Sequence, residues 1–394
     1  MTGGDQVRPA YGSGSLAELL PGVLAGLRLG PGTGGVADPL GLVGRLAGIR
    51  RVVVLLLDGL GYELLALAAP SAPVLADALA GRLGELRALT APFPSTTPTS
   101  LTTLGTGAPP GGHGVLGFTV RVPGTGRVLV HIDWTDDPDP LRWQPLPTQL
   151  ARAAAGGATV RVVARAEYAG SGLTRSAWRG GGYRPAGDLD ELAGELLSEL
   201  TAGEPPVLVF GYFPEPDQSG HLHGVGSTAW RSAVAGVDRL LARLVDGLPA
   251  DAALLVTADH GQLDVPAGHR FDIAADPRLR AGVAVVAGEP RVRYLHAVPG
   301  AVDDVIAGWR EVLGEAAWVV SREQAVADGW FGPVPAGHLA RIGDVVVACR
   351  DRYAVLSSGT EPAGVGELVA FHGSWTAAEM RVPLLVVRGD RVGR

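Results

Sequence analysis

The chain has 394 residues, 46% of them hydrophobic, and a formal net charge of −7. The acidic balance argues against a nucleic-acid scaffold as partner. The absence of lysine excludes a P-loop, a Schiff-base enzyme and a protein kinase, and the single cysteine, Cys349, excludes disulfides within the chain. The N-terminus lacks a basic region followed by an apolar one, and no apolar run approaches 18 residues. These features predict a cytoplasmic protein without a membrane partner.

Strands and helices are predicted to alternate along most of the chain. Residues 1–15 predict a flexible tail, and the aliphatic run from Val52 to Leu57 predicts a strand buried on both faces of a parallel sheet. Further strands are predicted at 158–164, 205–213, 251–257, 367–371 and 382–389. Amphipathic patterns predict helices at 188–203 and 229–248.

This alternation predicts an α/β fold with a mostly parallel central sheet and helices on both faces. Residues 281–349 mix short strand-like and helix-like segments. This mixture predicts a small α+β insertion or cap. The core would then comprise residues 16–280 and 350–394. Ligands of such sheets bind at the carboxyl ends of the strands.

Acidic and imidazole side chains follow four of the predicted strands. In chain order they are Asp58, then Asp217 with His221 and His223, then Asp259 with His260, and then His372. A single acid at the end of a strand is more often a turn or N-cap residue than a functional one. Four such ends facing one edge favour a site for zinc, with manganese or iron as alternatives.

A hydroxyl-rich stretch, "APFPSTTPTSLTTLGTG" (91–107), could supply a nucleophile. Serine and threonine also cap helices, and Pro98 suits a first helical turn, but these roles can coexist with catalysis. The N-terminus of a helix favours an anionic phosphoryl group. Two ligand clusters and a hydroxyl at a helix start favour two-metal displacement at phosphorus.

These motifs, in this order, resemble the alkaline phosphatase superfamily, and most closely its type I phosphodiesterase/nucleotide pyrophosphatase branch. The matching stretches, which lie between residues 51 and 375, are "VVVLLLDGLG", "FPSTTPTSLTTLGTGAPPGGHGVLGF", "YFPEPDQSGHLHG", "VTADHGQ" and "FHGSW". The resemblance implies two divalent metal ions, one held by Asp217, His221 and His372 and the other by Asp58, Asp259 and His260. It implies Thr97 as the nucleophile, with Thr96 as the alternative.

The resemblance implies a two-metal phosphohydrolase that cleaves phosphodiester or phosphoanhydride bonds of a small substrate through a phosphothreonine intermediate. A phosphomonoesterase, a phosphonate hydrolase or a phosphomutase of the same superfamily is the alternative, and a metal-binding protein without turnover is a further one. The sequence contains no asparagine, the residue with which nucleotide pyrophosphatases usually contact a phosphoryl oxygen. We expect Ser100 to make the contact that this asparagine makes in nucleotide pyrophosphatases, and His223 to be a second substrate contact.

Overall fold

The computed structural model describes residues 6–29, 38–361 and 364–392. The strands of this part of the chain are β1 Arg51–Leu57, β2 Glu85–Thr90, β3 Thr119–Arg121, β4 Val128–Val130, β5 Thr159–Ala164, β6 Gly182–Pro185, β7 Val207–Phe213, β8 Ala252–Thr257, β9 Leu263–Asp264, β10 Arg270–Asp272, β11 Val283–Glu289, β12 Val292–Ala297, β13 Ala317–Ser321, β14 Val345–Cys349, β15 Ala354–Leu356, β16 Ala370–Phe371 and β17 Arg381–Arg388.

The α-helices of the described residues range from single turns to a helix of 19 residues. They are α1 Leu19–Gly26, α2 Leu42–Arg45, α3 Leu65–Ala68, α4 Pro73–Leu79, α5 Thr97–Thr106, α6 Pro110–His113, α7 Pro140–Trp143, α8 Gln149–Ala155, α9 Gly172–Ala177, α10 Leu189–Ala202, α11 Glu215–His223, α12 Thr228–Asp246, α13 Pro277–Arg280, α14 Val302–Leu313, α15 Arg322–Ala327, α16 Ala336–Leu339 and α17 Ala377–Met380.

A central sheet of seven strands, in the order β2-β17-β8-β1-β7-β5-β6, organises the molecule. The strands from β8 to β6 in this order pair in parallel, and β17 runs antiparallel to both of its neighbours. Strands β1, β7 and β8 lie in the middle, and nearly all of their residues are buried. The predicted α/β fold with a mostly parallel sheet is confirmed.

A second, antiparallel sheet in the order β11-β12-β14-β13 forms the small insertion that the sequence predicted. It packs against the segment before α5 through an aromatic cluster, in which Phe93 stacks on Trp375 with ring centroids 4.1 Å apart. The insertion therefore lies beside the start of α5. Its exact boundaries, placed at 281 and 349 from the sequence, stay a prediction.

The N-terminal segment is tied to the core where the structure describes it. The Val7 amide donates to the Trp375 carbonyl at 2.9 Å, and the Ala10 amide donates to the Thr90 hydroxyl at 2.8 Å. Residues 1–5 of the predicted tail lie outside the described residues. Among the described helices, none combines the length and the apolar character that crossing a membrane requires.

Candidate active site

Three adjacent parallel strands bring most of the predicted site residues to one edge of the central sheet. Asp58 directly follows β1, and Asp259 and His260 come soon after β8. Strand β7 leads into α11, which carries Asp217 and His221 one turn apart. Because β7, β1 and β8 are neighbours and run in the same direction, these side chains converge.

The first group consists of Asp58, Asp259 and His260, all of them buried. His260 Nε2 lies 3.2 Å from Asp259 Oδ2 and 3.5 Å from Asp58 Oδ1. The other oxygen of Asp259, Oδ1, accepts hydrogen bonds from the Gly59 amide at 3.1 Å and the His260 amide at 3.0 Å. These backbone contacts fix the Asp259 carboxylate and leave Oδ2 directed at the cluster.

The second group consists of Asp217, His221 and His372. His221 Nε2 lies 3.3 Å from Asp217 Oδ2 and 3.2 Å from His372 Nε2, and His372 Nε2 lies 3.8 Å from Asp217 Oδ1. The rings of His372 and His260 stack with centroids 3.5 Å apart, so the two groups touch. Asp217, His260 and His372 each offer one possible ligand atom, and these three atoms lie within 4.8 Å of one another.

Each of the three histidines has Nδ1 against a backbone carbonyl. The acceptors are the Ala370 carbonyl for His221 at 2.7 Å, the Ser95 carbonyl for His372 at 2.9 Å and the Gly261 carbonyl for His260 at 3.2 Å. A proton on Nδ1 satisfies these contacts and leaves Nε2 with a free lone pair. Nε2 is the atom that faces the carboxylates, which is the arrangement of a histidine that binds a metal ion.

The donor set fits divalent cations. Asp58 Oδ1 and Asp259 Oδ2 are buried and have no hydrogen-bond partner among the described residues. Burial and the nearby Asp259 raise the pKa of Asp58 well above its usual value. Against the effect of burial, Asp259 raises the pKa of His260 to about 10. A positive ion between these groups would relieve the repulsion between the carboxylates, and carboxylate and imidazole together suit zinc, manganese or iron.

Thr97 is the first residue of α5 and adjoins the first group. Its Oγ1 lies 3.1 Å from His260 Nε2. Thr96 is the N-cap residue with extended backbone, and Pro98 occupies the first turn, where the missing N–H costs no helical hydrogen bond. The hydroxyl of Thr97 is thus presented at the positive end of a helix and beside the candidate metal ligands.

A family model described as type I phosphodiesterase / nucleotide pyrophosphatase matches residues 52–375. The chain belongs to this family. It is therefore a metal-dependent hydrolase of the alkaline phosphatase superfamily, as the order of its motifs predicted. No curated protein sequence matches the chain.

Solved structures with the same fold include two structures of a mouse protein and one structure of a bacterial protein. Murine ectonucleotide pyrophosphatase / phosphodiesterase 5 is 20% identical, with a TM-score of 0.69 over 86% of this chain and 90% of that one. Its inactive threonine-to-alanine variant in complex with AMP is also 20% identical, with a TM-score of 0.68 over 86% and 88%. Phosphonoacetate hydrolase from Sinorhizobium meliloti 1021 in complex with phosphonoformate is 22% identical, with a TM-score of 0.64 over 86% and 90%.

Two residues expected to contact substrate lie in different settings in this phosphodiesterase-family chain. Ser100 is buried in α5, and its hydroxyl has no hydrogen-bond partner among the described residues. His223 is exposed at the end of α11 and lies outside the two ligand groups. Their roles stay predictions.

Two further residues of the site were missed at the sequence level. Tyr212, in β7, donates a short hydrogen bond to Asp58 Oδ2. Gln262 donates from Nε2 to Asp217 Oδ1, and also to the Asp217 carbonyl at 2.9 Å. Tyr212 sits inside an apolar run that reads as core, so nothing local marks it. Gln262 directly follows the "DHG" motif, and that position was the only available signal.

Proposed function

We propose that the protein is a two-metal phosphohydrolase that cleaves phosphodiester or phosphoanhydride bonds with Thr97 as nucleophile. The observation that carries the proposal is the position of the Thr97 hydroxyl, at the N-terminus of α5 and 3.1 Å from His260 Nε2. One ion would be held by Asp217, His221 and His372, and the other by Asp58, Asp259 and His260. Zinc is the proposed metal because imidazole and carboxylate ligands are mixed.

Divalent ions in these two groups would supply positive charge that lowers the pKa of the nucleophile and neutralises the phosphoryl oxygens. The Thr97 hydroxyl loses its proton to solvent, and Oγ1 attacks phosphorus in line. The bond to the leaving oxygen breaks, the leaving group departs, and the chain carries a phosphothreonine that keeps the second arm of a diester substrate. The backbone N–H groups at the start of α5 point toward the bound phosphoryl group and stabilise its charge. Water then attacks phosphorus, the bond to Thr97 Oγ1 breaks, and Oγ1 regains a proton. A diester substrate releases a phosphomonoester that keeps the second arm, and a monoester releases phosphate.

Two solved relatives support this assignment and its substrate class. The mouse enzyme bound to AMP is described as inactive because of a threonine-to-alanine substitution, which agrees with a threonine nucleophile. The bacterial relative binds phosphonoacetate in a second structure, which makes a phosphonate hydrolase the second candidate. Both ligands are small and anionic, so we propose a small phosphorylated or phosphonylated substrate. The cytoplasmic location expected from the sequence stays a prediction.

We expect the purified protein loaded with zinc or manganese to hydrolyse p-nitrophenyl phosphodiesters, and a chelator to abolish this activity.

Thr97→Ala should lose turnover and keep its bound metal, measured by elemental analysis, whereas Thr97→Ser retains a hydroxyl and should keep part of the rate. Thr96→Ala is the matched control. If Thr97→Ala remains active and Thr96→Ala loses its activity, the nucleophile is Thr96. Fully metallated protein that leaves mono- and diesters and phosphonates intact would end the catalytic proposal.

A further inference from the structure

A cavity of about 600 Å³ opens between the insertion and the hairpin formed by β3 and β4. Its lining includes Phe118, Val128, Val130, Val285, Glu289 and Arg293. Strand β11 is the edge strand of the inserted sheet, so one of its sides faces this space. The Thr119 hydroxyl donates to the Gly288 carbonyl at 2.8 Å and joins the hairpin to the strand. The volume is in the range of cavities that hold small organic ligands.

Among the charged lining residues that the structure describes, Glu289 has a carboxyl oxygen without a hydrogen-bond partner. Arg293, the charged neighbour, is engaged by Glu361 and by the Val355 carbonyl at 2.7 Å. Glu289 is only 5% exposed, and its Oε1 has no hydrogen-bond partner among the residues that the structure describes. The Thr96 hydroxyl faces the carboxyl, but neither Thr96 Oγ1 nor Glu289 Oε1 completes a hydrogen bond of normal geometry. A buried polar atom without a partner costs free energy unless a ligand satisfies it.

The Glu289 carboxyl also borders the reaction centre. A Cβ atom placed on Gly373, the residue after His372, would lie 2.9 Å from Glu289 Cδ. Thr96, which faces the carboxyl, precedes the nucleophile Thr97. The side chain therefore lies between the cavity and the two elements that carry Thr97 and His372.

The turn that carries Glu289 is held in place by a buried ion pair. Arg291 donates from Nε and Nη2 to the two oxygens of Glu379, each at 2.8 Å, and both side chains are fully buried. Glu379 belongs to α17, which follows the "FHGSW" segment, so the turn is fixed relative to His372. Burial raises the pKa of Glu289 to about 8.

We propose that this cavity binds one ester arm of a phosphodiester substrate, an arm with an apolar body and a hydrogen-bonding group, and that Glu289 is the residue that selects it. The proposal rests on the phosphohydrolase function proposed above and deepens it. The valines of β4 and β11 suit the apolar body, and the Glu289 carboxyl suits a hydroxyl. A phosphomonoester has no second arm and leaves the cavity empty.

Three chromogenic substrates with the same p-nitrophenolate leaving group test this proposal on the metal-loaded protein. They are the monoester, the diester with a phenyl second arm and the diester with a 4-(hydroxymethyl)phenyl second arm. We expect the wild type to prefer the hydroxymethyl diester. In Glu289→Ala, the ratio of kcat/KM for this diester to kcat/KM for the monoester should fall about tenfold, mainly through KM. Glu289→Gln should retain part of the preference, because its amide still forms hydrogen bonds.

Ala284→Trp gives a second route to the same question, because Ala284 is an exposed residue of β11 that lines the cavity. The tryptophan should fill the cavity and lower the ratio for both diesters. Glu315→Ala, at a glutamate whose side chain is 96% exposed, is the control and should keep the wild-type ratios. Unchanged ratios in folded Ala284→Trp, or a wild type that cleaves only the monoester, would overturn the cavity assignment and leave the hydrolase standing. A metal-loaded wild type without activity on any ester would overturn both.

Discussion

At the scale of single residues, Gln262 links the two ligand groups. It follows Asp259 and His260 in the sequence, yet its amide contacts Asp217 of the other group. Both oxygens of Asp217 that it meets are acceptors, so the amide must present its N–H atoms to them. Gln262 Oε1 then faces Gly220, where a Cβ atom would lie 1.8 Å away. The glycine between Asp217 and His221 therefore gives room to the side chain that orients Asp217.

We expect Gln262→Met to lower the affinity for metal about 10- to 100-fold, because Asp217 loses the donor that orients its carboxylate. Competition with a chromogenic chelator measures this affinity without relying on turnover. Gly220→Ala should act in the same direction by displacing Gln262. Gln149→Met is the matched control, since Gln149 is also buried and donates to a backbone carbonyl, that of Thr106, at the far end of α5. Wild-type metal affinity in folded Gln262→Met would contradict the orienting role.

At the scale of elements, the insertion is joined to the core by the bidentate ion pair between Arg291 and Glu379. The pair connects the turn between β11 and β12 to α17. Glu379 also accepts hydrogen bonds from the Ser374 amide at 3.0 Å and the Thr376 hydroxyl at 2.6 Å. Its charge is therefore shared by several donors that hold the segment after His372.

Arg291→Met should lower the free energy of unfolding by about 3–5 kcal/mol, because it leaves the Glu379 carboxylate buried without its cation. Urea unfolding monitored by tryptophan fluorescence measures the change. Adding Glu379→Gln to the same chain should restore part of the loss by removing the uncompensated charge. Arg82→Met breaks a pair in which both side chains are at least half exposed, and should cost at most about 1 kcal/mol. Equal effects at the two arginines would contradict this account.

At the scale of the whole molecule, buried neutral histidines couple stability to pH. His131 Nδ1 lies 2.8 Å from the Gly117 carbonyl, and His131 Nε2 accepts from the Trp143 indole at 3.3 Å, so only the neutral ring satisfies both contacts. Burial lowers the pKa of His131 to about 4 and that of His113 well below its usual value. Between pH 6.5 and 4 the unfolded chain binds protons at these rings that the folded chain does not. The free energy of unfolding should therefore fall as the pH falls through this window.

His131→Gln should make this decline shallower by up to about 1.4 kcal/mol per pH unit, because it removes one titrating ring. Unfolding in urea at intervals from pH 7 to pH 4, with excess chelator so that metal release does not contribute, gives the slope. His223→Gln, at an exposed histidine, is the control for the substitution itself. If the free energy of unfolding of His131→Gln falls more steeply with falling pH than that of the wild type, the role assigned to His131 is contradicted.

The sequence by itself determined the core strands and the residues that end them. Strands β1, β7 and β8 are buried on both faces, so their continuous apolar runs are readable, and a polar residue directly after such a run stands out. Edge strands β2 and β6 were not predicted. Most of their residues are exposed or partly exposed, their composition is mixed, and β6 ends in a proline, so their pairing rather than their composition makes them strands.

Only the tertiary structure decided which distant groups meet. The antiparallel direction of β17, the contact of Gln262 with Asp217 and the position of Glu289 beside Gly373 each join residues that are far apart in the chain. The local hydrophobic pattern of the sequence indicates which face of each segment is buried. The contacts named above depend instead on how the elements pack against one another. The identities of the candidate metal ligands could therefore be read from strand ends. Gln262, which contacts one of these ligands, and Glu289, which lines the cavity, could not be found in this way.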